Sequence, residues 1–352
     1  KLFENHSDIK KIYNNNFKYI LVDEFQDTNF IQNKWLNLLV NEKKNICCVG
    51  DDDQSIYSWR GAEIKNFLTF DSIYKNCKIF KLEQNYRSTQ NILETASTLI
   101  SHNKGRVEKK LWSSAHQGEK VKLNCYQNGR EEAEAISDIA ENKLKNKYSL
   151  NNVAILVRAI YQTREFEERF LKVGLGYRVL GGTKFYERAE VKDAVAYLRI
   201  VNQKYDDLAL ERVIGNPKRG IGESTLNQLY LFGNQNKLCL EDSIKKSLQT
   251  NNLKPKMKTS LTQLTKMIDK WRLDSFTNTH YDLLKVILDE SGYSEMLKNK
   301  NDIENENRLE NIKELLRAMR DYDNLQSFLE HVALATSIDK EWEGEKINLM
   351  TM

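Results

Sequence analysis

Tyr19-Ile-Leu-Val-Asp-Glu-Phe-Gln-Asp-Thr28 is the stretch on which the fold turns. Its first four residues form an apolar run too short for a helix, which reads as a strand buried in a parallel sheet. Two carboxylates, Asp23 and Glu24, stand where that strand meets its loop. Outward from there, Phe30 to Val40 places Ile31, Trp35, Leu38 and Leu39 at helical spacing, and Asn45 to Val49 is a second apolar strand. Ile79-Phe-Lys-Leu82 predicts a third strand, and Thr89 to Ile100 a helix. Val121 to Tyr126, Val153 to Val157 and Tyr177 to Leu180 read as further strands, separated by helices over Glu131 to Lys145 and Thr163 to Val173. Alternation of this kind predicts an α/β fold with parallel sheets.

Past Gly181-Gly182 the strand signal nearly vanishes. Ala194 to Val201, Leu226 to Phe232, Tyr281 to Leu288 and Leu309 to Met319 all carry helical periodicity, so a mostly helical part follows the α/β part. Lys346-Ile-Asn-Leu-Met-Thr-Met352 reads as a strand again, and no fixed-period repeat appears.

Composition narrows the class. Of 352 residues, 40% are hydrophobic and 30% charged, which predicts a folded chain rather than a disordered one. No run reaches the roughly 18–20 apolar residues of a membrane span. Lys1 to Lys11 is polar, so no signal segment is expected there. The cysteines (Cys47, Cys48, Cys77, Cys125, Cys239) are odd in number and form no C-x-x-C pair. They read as reduced thiols in a cytoplasmic protein, not as a zinc or disulfide framework. The five histidines lack metal-ligand spacing. The net charge of +4 is modest, but Ser101 to Lys122 concentrates six cations (Lys104, Arg106, Lys109, Lys110, Lys120, Lys122) against Glu108 and Glu119. A solvated loop accounts for that cluster as well as a phosphate contact does.

Three clusters carry chemistry. Ligands of open α/β sheets bind at the carboxyl ends of strands. There Asp23 can serve Mg²⁺, a hard cation that takes oxygen ligands, and Glu24 can orient or deprotonate an attacking water. Taken alone the pair also reads as a strand terminus, with Asp27 or Thr28 capping the next helix. The next strand ends in Val49-Gly-Asp-Asp-Asp-Gln-Ser-Ile-Tyr-Ser-Trp-Arg-Gly-Ala62. Its Gln54 amide can sense a γ-phosphate or the attacking water, while Tyr57 and Trp59 offer flat faces for unpaired bases. Core packing of the two aromatics and a solvated acidic turn are the plainer alternative. The third cluster is Lys81-Leu-Glu-Gln-Asn-Tyr-Arg-Ser88, where Arg87 can place charge on a γ-phosphate and Tyr86 can stack on adenine. In the helical part, Asn216-Pro-Lys-Arg-Gly-Ile-Gly-Glu-Ser-Thr225 offers Lys218 and Arg219 as charges. Its Gly220 and Gly222 allow close backbone approach to a phosphate, with Ser224 as a cap for the next helix. A glycine-rich turn with exposed basic residues reads equally well.

The chain resembles the UvrD/PcrA/Rep group of superfamily 1 DNA helicases over essentially its whole length. Asp23 to Thr28 (DEFQDT) is similar to the group's Walker B motif, Val49 to Ala62 to its third motif, and Leu82 to Ser88 to its fourth. Gly181 to Asp193, Asn216 to Gly222 and Leu349 to Met352 also look like group signatures. The resemblance implies RecA-like motor domains with a helical insertion. Residues 1–17 would be the tail of an inserted 1B-type domain, 18–83 the second part of the first motor domain, and 84–181 the first part of the second. Residues 182–345 would be the helical 2B-type domain, and 346–352 a return to the second motor domain.

The resemblance also implies an ATP-dependent enzyme moving 3′ to 5′ on single-stranded DNA and working at single-strand/duplex junctions, with ATP and Mg²⁺ as cofactors. Asp23 would serve Mg²⁺, Glu24 the water, and Gln54 and Arg87 the γ-phosphate. Tyr86 would lie on adenine, Tyr57 and Trp59 near DNA, and Arg60 between the two functions. One departure matters: the chain has no Gly-Lys dipeptide, hence no G-x-x-x-x-G-K-[ST] phosphate loop. The expectation is therefore a central segment without activity of its own. A non-catalytic DNA-binding or assembly module from a truncated or split gene is the competing expectation, and a motor fused to a nuclease beyond Met352 a third.

Overall fold

Strand β1 (Ile20–Val22) pairs in parallel with β2 (Ile46–Cys48), Ile20 opposite Ile46 and Val22 opposite Cys48. The computed structural model describes residues 1–249, 254–298, 303–337 and 344–352. A helix over Phe30–Leu39 makes the crossover between the two strands. It starts sharply because Asn29 and Gln32 satisfy each other's backbone N–H groups at 2.8 and 2.9 Å, a capping box. The chain divides into two compact units, Lys1–Asn124 and Cys125–Met352.

Two expected strands do not form. Ile79–Leu82 and the Val121–Tyr126 stretch adopt no regular secondary structure and join no ladder among the described residues. Phe80, Leu82 and Leu123 accordingly stand more than three-quarters exposed, as does Leu21 on β1. An apolar run announces what a segment would bury. A strand also needs a neighbour to receive its N–H and C=O groups. The first backbone pairing near Ile79–Leu82 is the single Gln84–Trp112 bridge beyond its end, and no ladder forms over either stretch among the described residues.

The second unit holds a three-stranded parallel sheet of order β3 (Ala154–Val157), β5 (Ile347–Thr351), β4 (Tyr177–Leu180). The last strand in the chain is the middle one in space, with Leu349 opposite both Ile155 and Val179. Its Ile347 and Leu349 are fully buried in a core with Ala133 and Ala140 of helix Gly129–Lys145 and Phe166 and Phe170 of helix Thr163–Val173. Between β4 and β5 runs the helical part, centred on helix Ala189–Asn202. There Tyr197 meets Trp271 and Tyr293 edge-on, at centroid distances of 5.9 and 6.2 Å. Residues 250–253, 299–302 and 338–343 of the expected 182–345 insertion lie outside the described residues.

A buried polar hub ties helix Thr163–Val173 to the helical part. Arg164 donates to Glu314 at 2.7 Å and to Glu168 at 2.8 Å, and Arg188 donates to Asn311 at 2.6 Å. Burial pushes the Glu167 carboxyl up, opposed by Arg188 and by hydrogen bonds from Thr163 and the Phe185 amide. Charges so buried are tolerated only because each has a partner in place.

Candidate functional site

The carboxyl ends of β1 and β2 are bound to each other by one side chain. Gln26, 1% exposed, donates through Nε2 to Glu24 Oε2 at 2.7 Å. Its Oε1 accepts the Asp51 amide at 3.0 Å. Gly50 makes room for this contact: a Cβ there would lie 2.7 Å from Gln26 Oε1 and 2.9 Å from Phe67 Cε2. Glu24 itself sits at φ 49°, ψ 44°, a left-handed conformation a glutamate adopts only when its surroundings impose it. Asp23 Oδ1 accepts the Glu24 amide at 2.9 Å, and both carboxylates are exposed. Neither Asp27 nor Thr28 caps the following helix, since Asn29 does. Asp27 is instead half-buried, with Oδ1 lacking a hydrogen-bond partner among the described residues; burial, then Glu24, raises its pKa.

The link continues to Gln54, whose Nε2 donates to Asp51 Oδ2 at 2.8 Å. A continuous chain of hydrogen bonds thus runs Glu24–Gln26–Asp51–Gln54. Six residues on, Arg60 lies 4.6 Å from the Trp59 ring centre and 5.3 Å from that of Tyr57. Trp59 and Arg60 are exposed and Tyr57 half-buried, so these rings form a surface platform rather than core. The Glu63 amide and Asn66 Nδ2 both donate to Thr28 O, at 3.0 and 3.1 Å, which returns the loop to the end of β1.

The acidic turn is not merely solvated. Lys109 places Nζ 2.7 Å from Asp52 and 3.1 Å from Asp53 and also pairs with Asp51. Arg106 Nε donates to Asp53 at 2.8 Å. The basic stretch read as a solvated loop or a phosphate contact therefore spends two of its cations on Asp51–Asp53. The Asp51, Asp52 and Asp53 carboxylates approach within 4.8 Å of one another, but Lys109 already occupies the space between them. Local spacing gave no sign of this pairing, because Arg106 and Asp53 are 53 residues apart.

Arg87 and Tyr86 lie on an exposed turn. Asn85 Oδ1 accepts the Arg87 and Ser88 amides at 2.9 and 2.8 Å, and Tyr86 OH donates to Gln84 at 2.8 Å. Thr89 occupies the N-cap of helix Gln90–Ile100, yet its hydroxyl makes no capping bond. Among the described residues the Arg87 guanidinium has no ion pair, and no bond joins it directly to Gln54.

In the helical part, Gly222 rather than Ser224 is the N-cap of helix Glu223–Asn236, and no side chain caps its first turn. Lys218 is exposed, and Gly220 has φ +73°, which glycine adopts without strain. Arg219 turns inward: Nη1 donates to Pro217 O at 2.9 Å and to Val213 O, and Nη2 donates to Tyr197 OH at 2.9 Å.

Comparison with known proteins places these motifs in a family context. The pattern of the UvrD/REP helicase N-terminal domain matches residues 1–75, and that of the UvrD-like helicase C-terminal domain matches residues 80–352. Over its whole length the chain is 42% identical to a probable DNA helicase II homolog of Rickettsia conorii, covering 54% of that protein. It is 37% identical to the ATP-dependent DNA helicase PcrA of Staphylococcus aureus, again over the whole chain and 49% of the relative. The chain spans about half the length of the curated relatives it matches. No described helix is long and apolar enough to cross a membrane.

Proposed function

The chain belongs to the UvrD-like helicase family, and from that premise we propose that it is the central segment of an ATP-driven motor that moves 3′ to 5′ along single-stranded DNA and opens duplex at junctions. The observation that carries this reading is the Glu24–Gln26–Asp51–Gln54 chain of hydrogen bonds. It holds a candidate water-activating carboxylate and a candidate phosphate-sensing amide in one rigid frame. The sensing loop then runs straight into the Tyr57–Trp59–Arg60 platform.

In this reading Glu24 takes the proton of a water as its oxygen attacks the γ-phosphorus, and the bond to the ADP oxygen breaks. Gln54 orients that water or the γ-phosphate. Arg87, without an ion pair among the described residues, supplies charge to the transition state. Tyr86, 82% exposed, offers its ring to adenine. Asp23 is an exposed oxygen donor whose Oδ1, among the described residues, takes only the Glu24 amide. It fits a cation held chiefly by phosphates and water, and Mg²⁺ bound there would neutralise phosphate charge.

Bases stack on Tyr57 and Trp59, with Arg60 bracing both rings. Lys218 and the backbone at Gly220 and Gly222 grip a DNA phosphate at the uncapped start of helix Glu223–Asn236, while Arg219 braces that turn from inside. We assign residues 18–83 and 84–181 to portions of two RecA-like motor domains, 1–17 to the tail of a 1B-type insertion, 182–345 to a 2B-type insertion and 346–352 to the second motor domain.

With no G-x-x-x-x-G-K-[ST] loop in its 352 residues, this segment alone does not turn over ATP. The same fact supports a second reading, a non-catalytic DNA-binding or assembly module. ATP turnover with and without oligo-dT, measured on the complete gene product and on this segment, separates the two. DNA-stimulated turnover and strand separation by the complete product support the motor. DNA binding without turnover supports the module, and turnover by the segment alone contradicts the need for the missing loop.

A further inference from the structure

The segment Arg106–Trp112 bonds to both loops that carry the proposed γ-phosphate groups. At its start, Arg106 and Lys109 hold Asp51, Asp52 and Asp53, and the Val107 amide donates to Asp52 at 2.7 Å. At its end, the Lys110 amide donates to Glu83 Oε1 at 2.9 Å and the Trp112 amide to Glu83 O at 3.0 Å. The Asn85 amide returns a bond to Trp112 O at 2.8 Å, and Lys81 Nζ donates to Glu108 O at 2.6 Å between the two ends. Asp51 is the residue that holds Gln54, and Asn85 is the residue that holds the Arg87 amide.

We propose that Arg106–Trp112 is a strap that sets the position of the Gln54 loop relative to the Arg87 turn, with Lys109 as the positioning residue for Gln54 through Asp51. The proposal rests on the motor reading given above. Three carboxylates this close repel one another and would spread the 51–54 turn unless cations stood among them. Surface ion pairs do little, but Lys109 is only 16% exposed and Asp52 only 2%. Removing one partner from so enclosed a set leaves charge uncompensated, which is where such networks exert their effect. Lys109 pairs with Asp51, Asp52 and Asp53 rather than with Glu24, Gln54 or Arg87 among the described residues. Its influence falls on geometry, so it should act on turnover more than on nucleotide affinity.

The test compares Lys109→Met with Lys109→Arg in the complete gene product, reading kcat and KM for ATP with oligo-dT. Misplacement of Gln54 should lower kcat about 10- to 100-fold while KM stays within about threefold, and Lys109→Arg should recover most of the loss. Amide hydrogen exchange on the same variants should quicken in residues 51–60 and 83–88 for Lys109→Met, but not in helix Ala189–Asn202. Should exchange quicken there too, the substitution has unfolded the protein, and Arg106→Gln, which breaks only the Asp53 end, decides by the same criteria. Wild-type kcat in Lys109→Met, a change in KM alone, or unaltered exchange in both loops overturns the strap. A complete product that never hydrolyses ATP overturns the motor reading instead, and the exchange measurement still decides the strap.

Discussion

Gln26 Nε2 donates to Glu24 Oε2 at 2.7 Å, from a side chain with almost no exposure to water. Because its other end accepts the Asp51 amide, Gln26 can hold Glu24 in only one sense. Gln26→Leu keeps the volume and removes both bonds, leaving the Asp51 amide without its acceptor. An unsatisfied buried group of this kind costs about 1–3 kcal/mol, which a urea titration reads as an earlier midpoint. Turnover should fall by about tenfold or more as Glu24 loses its orientation. An unchanged rate would mean that Glu24 needs no such support.

Glu24→Gln keeps the shape of the side chain and removes the base. In the complete gene product ATP binding should persist while turnover drops about 10²- to 10⁴-fold, the usual contribution of a general base. Nucleotide binding by equilibrium dialysis and single-turnover hydrolysis check the two halves separately. Near-normal turnover would take Glu24 out of the proposed role.

Gly50→Ala tests the close approach beneath the site. The added methyl would meet Gln26 Oε1 and the Phe67 ring at distances real Cβ atoms do not adopt. Overpacking of this sort costs about 1–3 kcal/mol, and here the yielding group is the amide that links Glu24 to Asp51. Stability and turnover should therefore fall together. Loss of stability alone would show that the bridge absorbs the shift.

Much of this was legible in the sequence, for a physical reason. Helices announce themselves by spacing along one segment, and those at Phe30–Leu39, Gln90–Ile100, Gly129–Lys145 and Thr163–Val173 lie within two residues of where periodicity places them. The strand ends that carry Asp23, Glu24 and Gln54 were equally plain. Ladder formation was not, because Ile79–Leu82 has the right residues and yet pairs with no strand among the described residues. The pairing of Lys109 with Asp51–Asp53 was hidden too, since each partner alone looks like a solvated charge run. The inward turn of Arg219 has the same character: Lys218 and Arg219 are adjacent, and only the tertiary contacts of Tyr197 and Val213 tell them apart.

That difference makes a paired prediction. Lys218→Ala should weaken single-stranded DNA binding uniformly across sequences and reduce the salt slope of log K by about one, as the loss of a single phosphate contact does. Arg219→Ala should instead lower stability by about 1–3 kcal/mol, through the bonds it makes to Val213, Pro217 and Tyr197. Fluorescence anisotropy over a salt series and a thermal melt distinguish them. The opposite assignment of effects would place Arg219, not Lys218, against the phosphate.

His331 gives the helical part a pH dependence with a definite sign. Its ring lies 5.7 Å from that of Tyr186 and 5.1 Å from that of Tyr322, and Nε2 is buried with no hydrogen-bond partner among the described residues. Burial lowers its pKa below the ordinary 6.5, opposed by the nearby Glu168 carboxylate. The unfolded chain then takes up the proton first as pH falls, so acid favours unfolding. The stability conferred by the neutral ring is complete above pH 6.5. It is lost as pH falls from there toward the lower folded-state value, and below that it changes no further. Since the ring is not fully enclosed, the slope from this group should be at most about 1 kcal/mol per pH unit. His331→Phe keeps an aromatic ring between the two tyrosines and removes the titration. Melts from pH 7.5 to about 5.5 should show the wild type losing more stability than the variant across this window. Parallel losses in the two proteins would show that the acid sensitivity arises elsewhere, with the buried carboxylates around Arg164 and Arg188 as the next groups to replace.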